Sequence, residues 1–178
     1  MKARIFIGSS TEGLPVAQRI KEYFETEYDC YIWNDGIFKY NEGFLETLIK
    51  SASLFDFGFM VFAADDVSRI RDKEYITTRD NVLFEYGLFL GRVGLDKAYI
   101  IKDKEVKIPS DMLGITLLEY ETTINDNGTK VPNDDFENHL SELKKNIDEK
   151  VALGYLGLFP STVIAISYFE NFIKLLTD

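Results

Sequence analysis

The segment Phe55–Ala63 reads Phe-Asp-Phe-Gly-Phe-Met-Val-Phe-Ala, apolar except at Asp56 and Gly58. A stretch this short and this apolar is a strand with both faces buried, and such strands form the interior of parallel sheets. Each face of that sheet must be covered, so the remaining chain has to supply two layers of helices. It does. Leu14–Tyr28 places Val16, Ala17, Ile20, Tyr23 and Phe24 at helical spacing, with Pro15 tolerated in the first turn. Phe44, Leu45, Leu48, Ile49 and Ala52 mark a second helix, and a third is predicted over Asp80–Val93, capped by Asp80 and stopped by Gly94. Further short strands are predicted at Arg4–Ile7, Cys30–Trp33, Ala98–Ile101 and Ile115–Leu118, while Asp65–Arg79 reads as a polar loop. The expected fold is α/β, a doubly wound, five-stranded parallel sheet of flavodoxin-like order with helices on both faces. Ligands in such folds sit outside the carboxyl ends of the strands, which points to Gly8-Ser9-Ser10, Trp33-Asn34-Asp35 and Asp65-Asp66.

The pattern changes after Tyr120. Residues 1–122 carry the α/β signals, and 123–133 read as a polar linker with Asn127-Gly128 and Pro132. Residues 134–152 form an amphipathic connecting helix with Phe136, Leu140, Leu143, Ile147 and Val151 in register. The run Val151–Phe169 is uncharged and approaches the length of a spanning helix, but Gly154, Gly157 and Pro160 interrupt it. A buried or oligomer-interface helix is expected there rather than a membrane span. No signal peptide is expected either, because Lys2-Ala3-Arg4 runs straight into the first strand.

Charge narrows the partners. With 30 acidic and 20 basic side chains the net charge is −10, which repels a phosphate backbone and argues against nucleic-acid binding. A small anion remains possible, because a helix dipole can hold phosphate inside an acidic protein. Cys30 is the only cysteine, and in the run Cys30-Tyr31-Ile32-Trp33 it is expected to be a buried thiol in a reducing cytoplasm. His139 is the only histidine and, in a charged helical stretch, reads as a solvated surface residue.

Several side chains could carry chemistry. Gly8-Ser9-Ser10-Thr11 joins a strand to a helix, where small residues let backbone N–H groups and hydroxyls approach a phosphate; an ordinary strand-to-helix turn needs the same residues. It is neither G-x-G-x-x-G nor a P-loop. Asn81 and Glu85 lie four apart near the start of an otherwise apolar helix, in which Gly87 and Gly91 are expected to permit close packing against the sheet. A glutamate in such surroundings is desolvated and its pKa rises, unless it pairs with Arg79 or faces solvent. Asp65-Asp66 lacks further ligands in register for a metal and suits a loop or cap role. Trp33 suits core packing or a stacking face for a base.

Taken in order, Phe6-Ile7-Gly8-Ser9-Ser10-Thr11-Glu12, Trp33-Asn34-Asp35-Gly36-Ile37-Phe38, Ala64-Asp65-Asp66 and Arg79-Asp80-Asn81-Val82-Leu83-Phe84-Glu85 resemble the bacterial TIR-like domains. The resemblance covers about residues 1–122 and implies a cytoplasmic NAD+ glycohydrolase of antiphage defence, with NAD+ as substrate and no cofactor. It implies Glu85 as the catalytic carboxylate, with Ser9, Ser10 and Arg79 around ribose and phosphates, Trp33 and Phe38 beside the bases, and Asn81 as a further substrate contact. The stretch Leu156–Phe172 resembles the opening helix of a bacterial STING domain, so residues 153–178 are expected to begin a second domain. That resemblance implies a cyclic dinucleotide partner, cyclic di-GMP being the expected one, and assembly into homo-oligomers or filaments. Tyr168 would then stand near the dinucleotide pocket, of which this chain holds only the beginning. Two other readings share the fold: a nucleoside deoxyribosyltransferase, which also sets a carboxylate against a ribose C1′, and a non-catalytic TIR module that only assembles.

Overall fold

The computed structural model describes residues 2–35, 48–49, 52–112, 117–152 and 169. Its centre is a five-stranded, wholly parallel sheet built from β1 (Arg4–Ser9), β2 (Asp29–Ile32), β3 (Phe57–Phe62), β6 (Ala98–Asp103) and β7 (Leu117–Tyr120), in the order β2-β1-β3-β6-β7. This is the flavodoxin-like order expected from the sequence. Period-two alternation sends successive side chains to opposite faces, and both faces are buried. Ile5, Ile7, Phe57, Phe59, Val61, Tyr99 and Ile101 pack on one side, against α1 (Leu14–Phe24) and α3 (Phe136–Ala152). Phe6, Met60, Phe62, Ala98 and Ile100 pack on the other, against α2 (Asp80–Val93). Leu48 and Ala52, helical and buried, belong to this second core. The rest of the helix predicted at Phe44–Ala52 lies outside the described residues, as do Phe38 and Tyr168 and nearly all of 153–178. No helix among the described residues is long and apolar enough to cross a membrane.

Glycine does its packing at a different place from the one expected. A Cβ on Gly58 would lie 2.5 Å from Phe89 Cδ1, so this glycine is what brings α2 onto β3. Gly87 and Gly91 meet nothing within 4 Å and lie on the solvent side of the helix. Their spacing is helical, but the buried stripe runs through Val82, Glu85, Tyr86 and Phe89 instead. Asp80 is not the cap either. It is the first helical residue, its carboxylate accepting from Asn81 N–H (2.8 Å), and Arg79 holds the cap position without a side-chain bond. Gly94 does stop the helix, at φ 85°, with its N–H donating to Leu90 C=O.

The polar stretch after β3 is not a loop. β4 (Asp66–Ile70) and β5 (Lys73–Thr77) form an antiparallel hairpin projecting from the sheet. Its two-residue turn, Arg71-Asp72, has positive φ at both positions (48° and 62°), the type I′ geometry that Asn-Gly adopts most readily. The linker is likewise ordered into β8 (Thr122–Ile124) and β9 (Lys130–Pro132), turned by Asn125, whose carboxamide oxygen accepts from Asn127 and Thr129 N–H. Helix α3 then lays Phe136, Leu140, Leu143 and Ile147 into the same core as α1 and Tyr120. Tyr28 O–H to Asp148, Lys144 to Glu27 (2.9 Å) and Arg19 to Glu137 (2.9 Å) tie it to the α1 side.

Candidate active site

The strand order reverses between β1 and β3, and the crevice at their carboxyl ends is where a fold of this type binds ligands. Gly8 and Ser9 end β1 there, Asp65 follows β3, and the amino-terminal turns of α1 and α2 converge on it. Glu85 enters from the second turn of α2. Its carboxyl lies against the β1 backbone: a Cβ on Gly8 would stand 3.3 Å from Glu85 Oε2 and 2.5 Å from Met60 Sδ. Only glycine leaves that room. Glu85 is 7% exposed and has no hydrogen bond or ion pair among the described residues. Burial alone pushes its pKa up from 4.5 to about 7. The alternative partner, Arg79, is engaged elsewhere, its guanidinium 2.6 Å from Glu12 across the mouth of the crevice.

The β1–α1 turn is stitched internally. Ser10 Oγ accepts from Gly13 N–H (3.0 Å), Leu14 N–H donates to Thr11 C=O, Pro15 has no N–H, and Val16 N–H donates to Gly13 C=O. First-turn backbone donors are thus spent within the turn, and the hydroxyls of Ser9 and Ser10, both buried, are what it offers a ligand. Ser9 Oγ also accepts from Trp33 Nε1 (3.1 Å), which fixes the half-buried indole beside the loop. Asp35 fixes the separate turn after β2, its carboxylate accepting from Ile32 N–H (2.9 Å) and from Lys21 Nζ of α1 (2.7 Å). Asn81 lies one turn before Glu85 but is exposed.

Asp65 adds a second carboxylate. Both of its oxygens are buried and lack a hydrogen-bond partner among the described residues. Burial is the main cause raising its pKa; the Ser10 hydroxyl pulls the other way, Glu12 adds to the rise, and Arg79 opposes it through its charge and its backbone N–H. Asp66 turns outward, accepting from Val67 N–H (2.8 Å). The two adjacent aspartates therefore have different surroundings, which a dipeptide motif cannot reveal. The crevice holds Ser9, Ser10, Trp33, Arg79 and Glu85 around β1 and β3, together with Asp65, whose loop the sequence had pointed to without giving it a ligand role, and Glu12, which sequence patterning had not marked as a site residue. Away from it, Cys30 is buried, its thiol pushed up to about 12 by burial. His139 is half-buried rather than solvated, with Nδ1 enclosed and unpartnered, because α3 turns that face toward the sheet edge.

A five-stranded parallel flavodoxin-like sheet with buried carboxyls, Glu85 and Asp65, at its switch point is the architecture of a TIR-type α/β domain. The chain belongs to the CAP12/Pycsar effector TIR family: residues 4–122 match the model of the CAP12/Pycsar effector protein, TIR domain. Over 178 residues it is 65% identical to CD-NTase-associated protein 12 of Lachnospiraceae bacterium (strain RUG226), covering 100% of this chain and 56% of that protein. It is 53% identical over 179 residues to the protein of the same name from Flavobacterium daejeonense, again covering 100% of this chain and 56% of the relative. Pycsar effector protein XpPycTIR of Xanthomonas perforans is 37% identical over 122 residues, 67% of this chain and 40% of that protein. The chain spans about half the length of the CAP12 relatives it matches.

Proposed function

We propose that this domain is an NAD+ glycohydrolase of an antiphage effector and that Glu85 is its catalytic residue. The observation that carries the reading is the buried Glu85 carboxyl, desolvated and without a hydrogen-bond or ionic partner among the described residues, at the ligand-binding crevice of a TIR fold. Nicotinamide in NAD+ is already a cationic leaving group and needs no general acid. As the C1′–N bond breaks, its electron pair goes to nicotinamide and positive charge develops on the ribose, as in glycoside cleavage. A Glu85 carboxylate beside that ring stabilises the charge more than it stabilises the ground state. Water then adds at C1′ and gives up a proton, leaving ADP-ribose.

Around that centre, Ser9 and Ser10 offer hydroxyls to ribose and phosphate, and Trp33 with Phe38 borders the bases. Arg79 meets the pyrophosphate once the ligand displaces Glu12, and Asn81 contacts the substrate from the rim. In the longer proteins of this family, the part beyond residue 152 is read as a STING domain. It would bind a cyclic dinucleotide such as cyclic di-GMP and drive the TIR domains into active filaments, in keeping with the relatives' association with a CD-NTase.

Nicotinamide release distinguishes the chemistry. The assembled, full-length protein given NAD+ and no nucleobase acceptor is expected to release nicotinamide and ADP-ribose in equal amounts. Release that requires an added base would make it a transferase instead, and no release from the assembled form would leave a scaffold.

A further inference from the structure

A groove of about 690 Å³ runs along the outer edge of the sheet, between β7 and α3. Among the described residues no strand pairs with that edge of β7, so its floor presents strand backbone as well as side chains. The walls are acidic. Glu119 and Glu121 stand on the strand side, with Asp135 just before α3 and Glu142 on it, and Lys104 is the one lysine or arginine among the described residues lining it. Lys104 is neutralised by Glu121 (2.7 Å), and Glu119 reaches Lys102 (3.0 Å), which leaves Asp135 and Glu142 without a cation among the described residues.

The complementary surface lies on the same chain. In a molecule of net charge −10, the tip of the β4–β5 hairpin is Arg69-Ile70-Arg71-Asp72-Lys73, exposed throughout. Arg69 pairs with Asp72 (3.1 Å), whereas Arg71 and Lys73 have no acidic partner among the described residues. Val67 and Ile76, opposite each other in the register, are exposed behind the tip (62% and 37%). Arg71 also occupies a positive-φ position that glycine or asparagine would hold without strain, so the turn keeps a cation at the cost of its own geometry.

We infer that the basic β4–β5 hairpin of one copy docks in the acidic β7–α3 groove of a second copy of this chain. Unpaired cations on a projecting ribbon meet unpaired carboxylates in a groove of matching sign, with an apolar pair behind the tip to bury. The contact concerns assembly alone and does not depend on the proposed reaction, so the two fail separately.

Sedimentation of the whole chain over a concentration series, at low and high ionic strength, tests it. Wild-type protein should self-associate and lose that association as salt rises. Arg71→Glu and Glu142→Lys should each weaken association about tenfold or more. Mixing the two variants should restore it, because each supplies the intact surface the other lacks. Lys73→Glu and Asp135→Lys serve the same purpose if either first variant misfolds. A chain that stays monomeric, variants that associate like wild type, or a mixture that does not recover would overturn the inference. So would tight binding of spermine to a monomeric chain, which would make the groove a small-cation site.

Discussion

Glu85 is held in a form that costs stability. Below pH 4.5 it is protonated in both folded and unfolded chains. Between 4.5 and about 7 the folded chain keeps a proton that the unfolded chain releases, so stability falls as pH rises. Above about 7 the penalty is complete, on the order of 3 kcal/mol for a shift of this size. Glu85→Gln removes it: thermal unfolding should show the variant gaining on wild type at pH 8, with the gap narrowing toward pH 5. A gap independent of pH would mean that the carboxyl is not desolvated. If the ionised form acts, turnover should rise with pH through about 7 and then level. Gly8→Ala is the second residue-scale test. Its methyl would enter within 2.5 Å of the buried Met60 Sδ and crowd Glu85, so unfolding should register a loss of about 1–3 kcal/mol. The desolvation of Glu85 was half legible in the sequence: an acid inside an apolar stripe stands out, but the pattern left pairing with Arg79 or solvent exposure open, and its catalytic role rested on the TIR resemblance. Gly8 was legible only as a turn residue, since nothing in a linear pattern says that a side chain 77 positions later (Gly8 to Glu85) needs its space.

At the scale of elements, buried structure was readable and exposed structure was not. The central strands and α1–α3 announce themselves through apolar runs or helical stripes. The β4–β5 hairpin does not, because four of the five residues in β4 and three of the five in β5 are exposed and the turn is Arg-Asp, so neither alternation nor Asn-Gly marks it. β8 and β9, three residues each, are too short to show a period. The hairpin's strain gives a prediction: replacing Arg71-Asp72 by Asn-Gly should raise the thermal midpoint by about 2–4 °C, roughly 1 kcal/mol in a chain of this size. The same change should weaken self-association, which sedimentation would register. Helix α3 makes the opposite point. Phe136 is fully buried, its ring 5.4 Å from that of Tyr120 at 61°, so Phe136→Ala should cost about 3–5 kcal/mol by denaturant unfolding. A loss below 1 kcal/mol would mean that α3 is an appendage to the α/β core rather than part of it.

At the scale of the molecule, one sheet with a core on each face fixes a crevice where the connections after the paired strands β1 and β3 lead to helices on opposite faces, and Glu85 reaches it from the helix that packs over Gly58. Against a net charge of −10, the basic tip of the β4–β5 hairpin is conspicuous. The proposed catalysis and the inferred assembly thus fall on separate parts of the chain, since Asp65 and Arg79, at the hairpin's neck, belong to the crevice and neither lines the edge groove. The most direct test of the central claim is the rate of nicotinamide release from NAD+ by the assembled full-length protein carrying Glu85→Gln, with assembly verified by sedimentation. A loss of about a hundredfold or more at unchanged assembly is the predicted result. Turnover within a few-fold of wild type would contradict it and remove Glu85 from the chemistry.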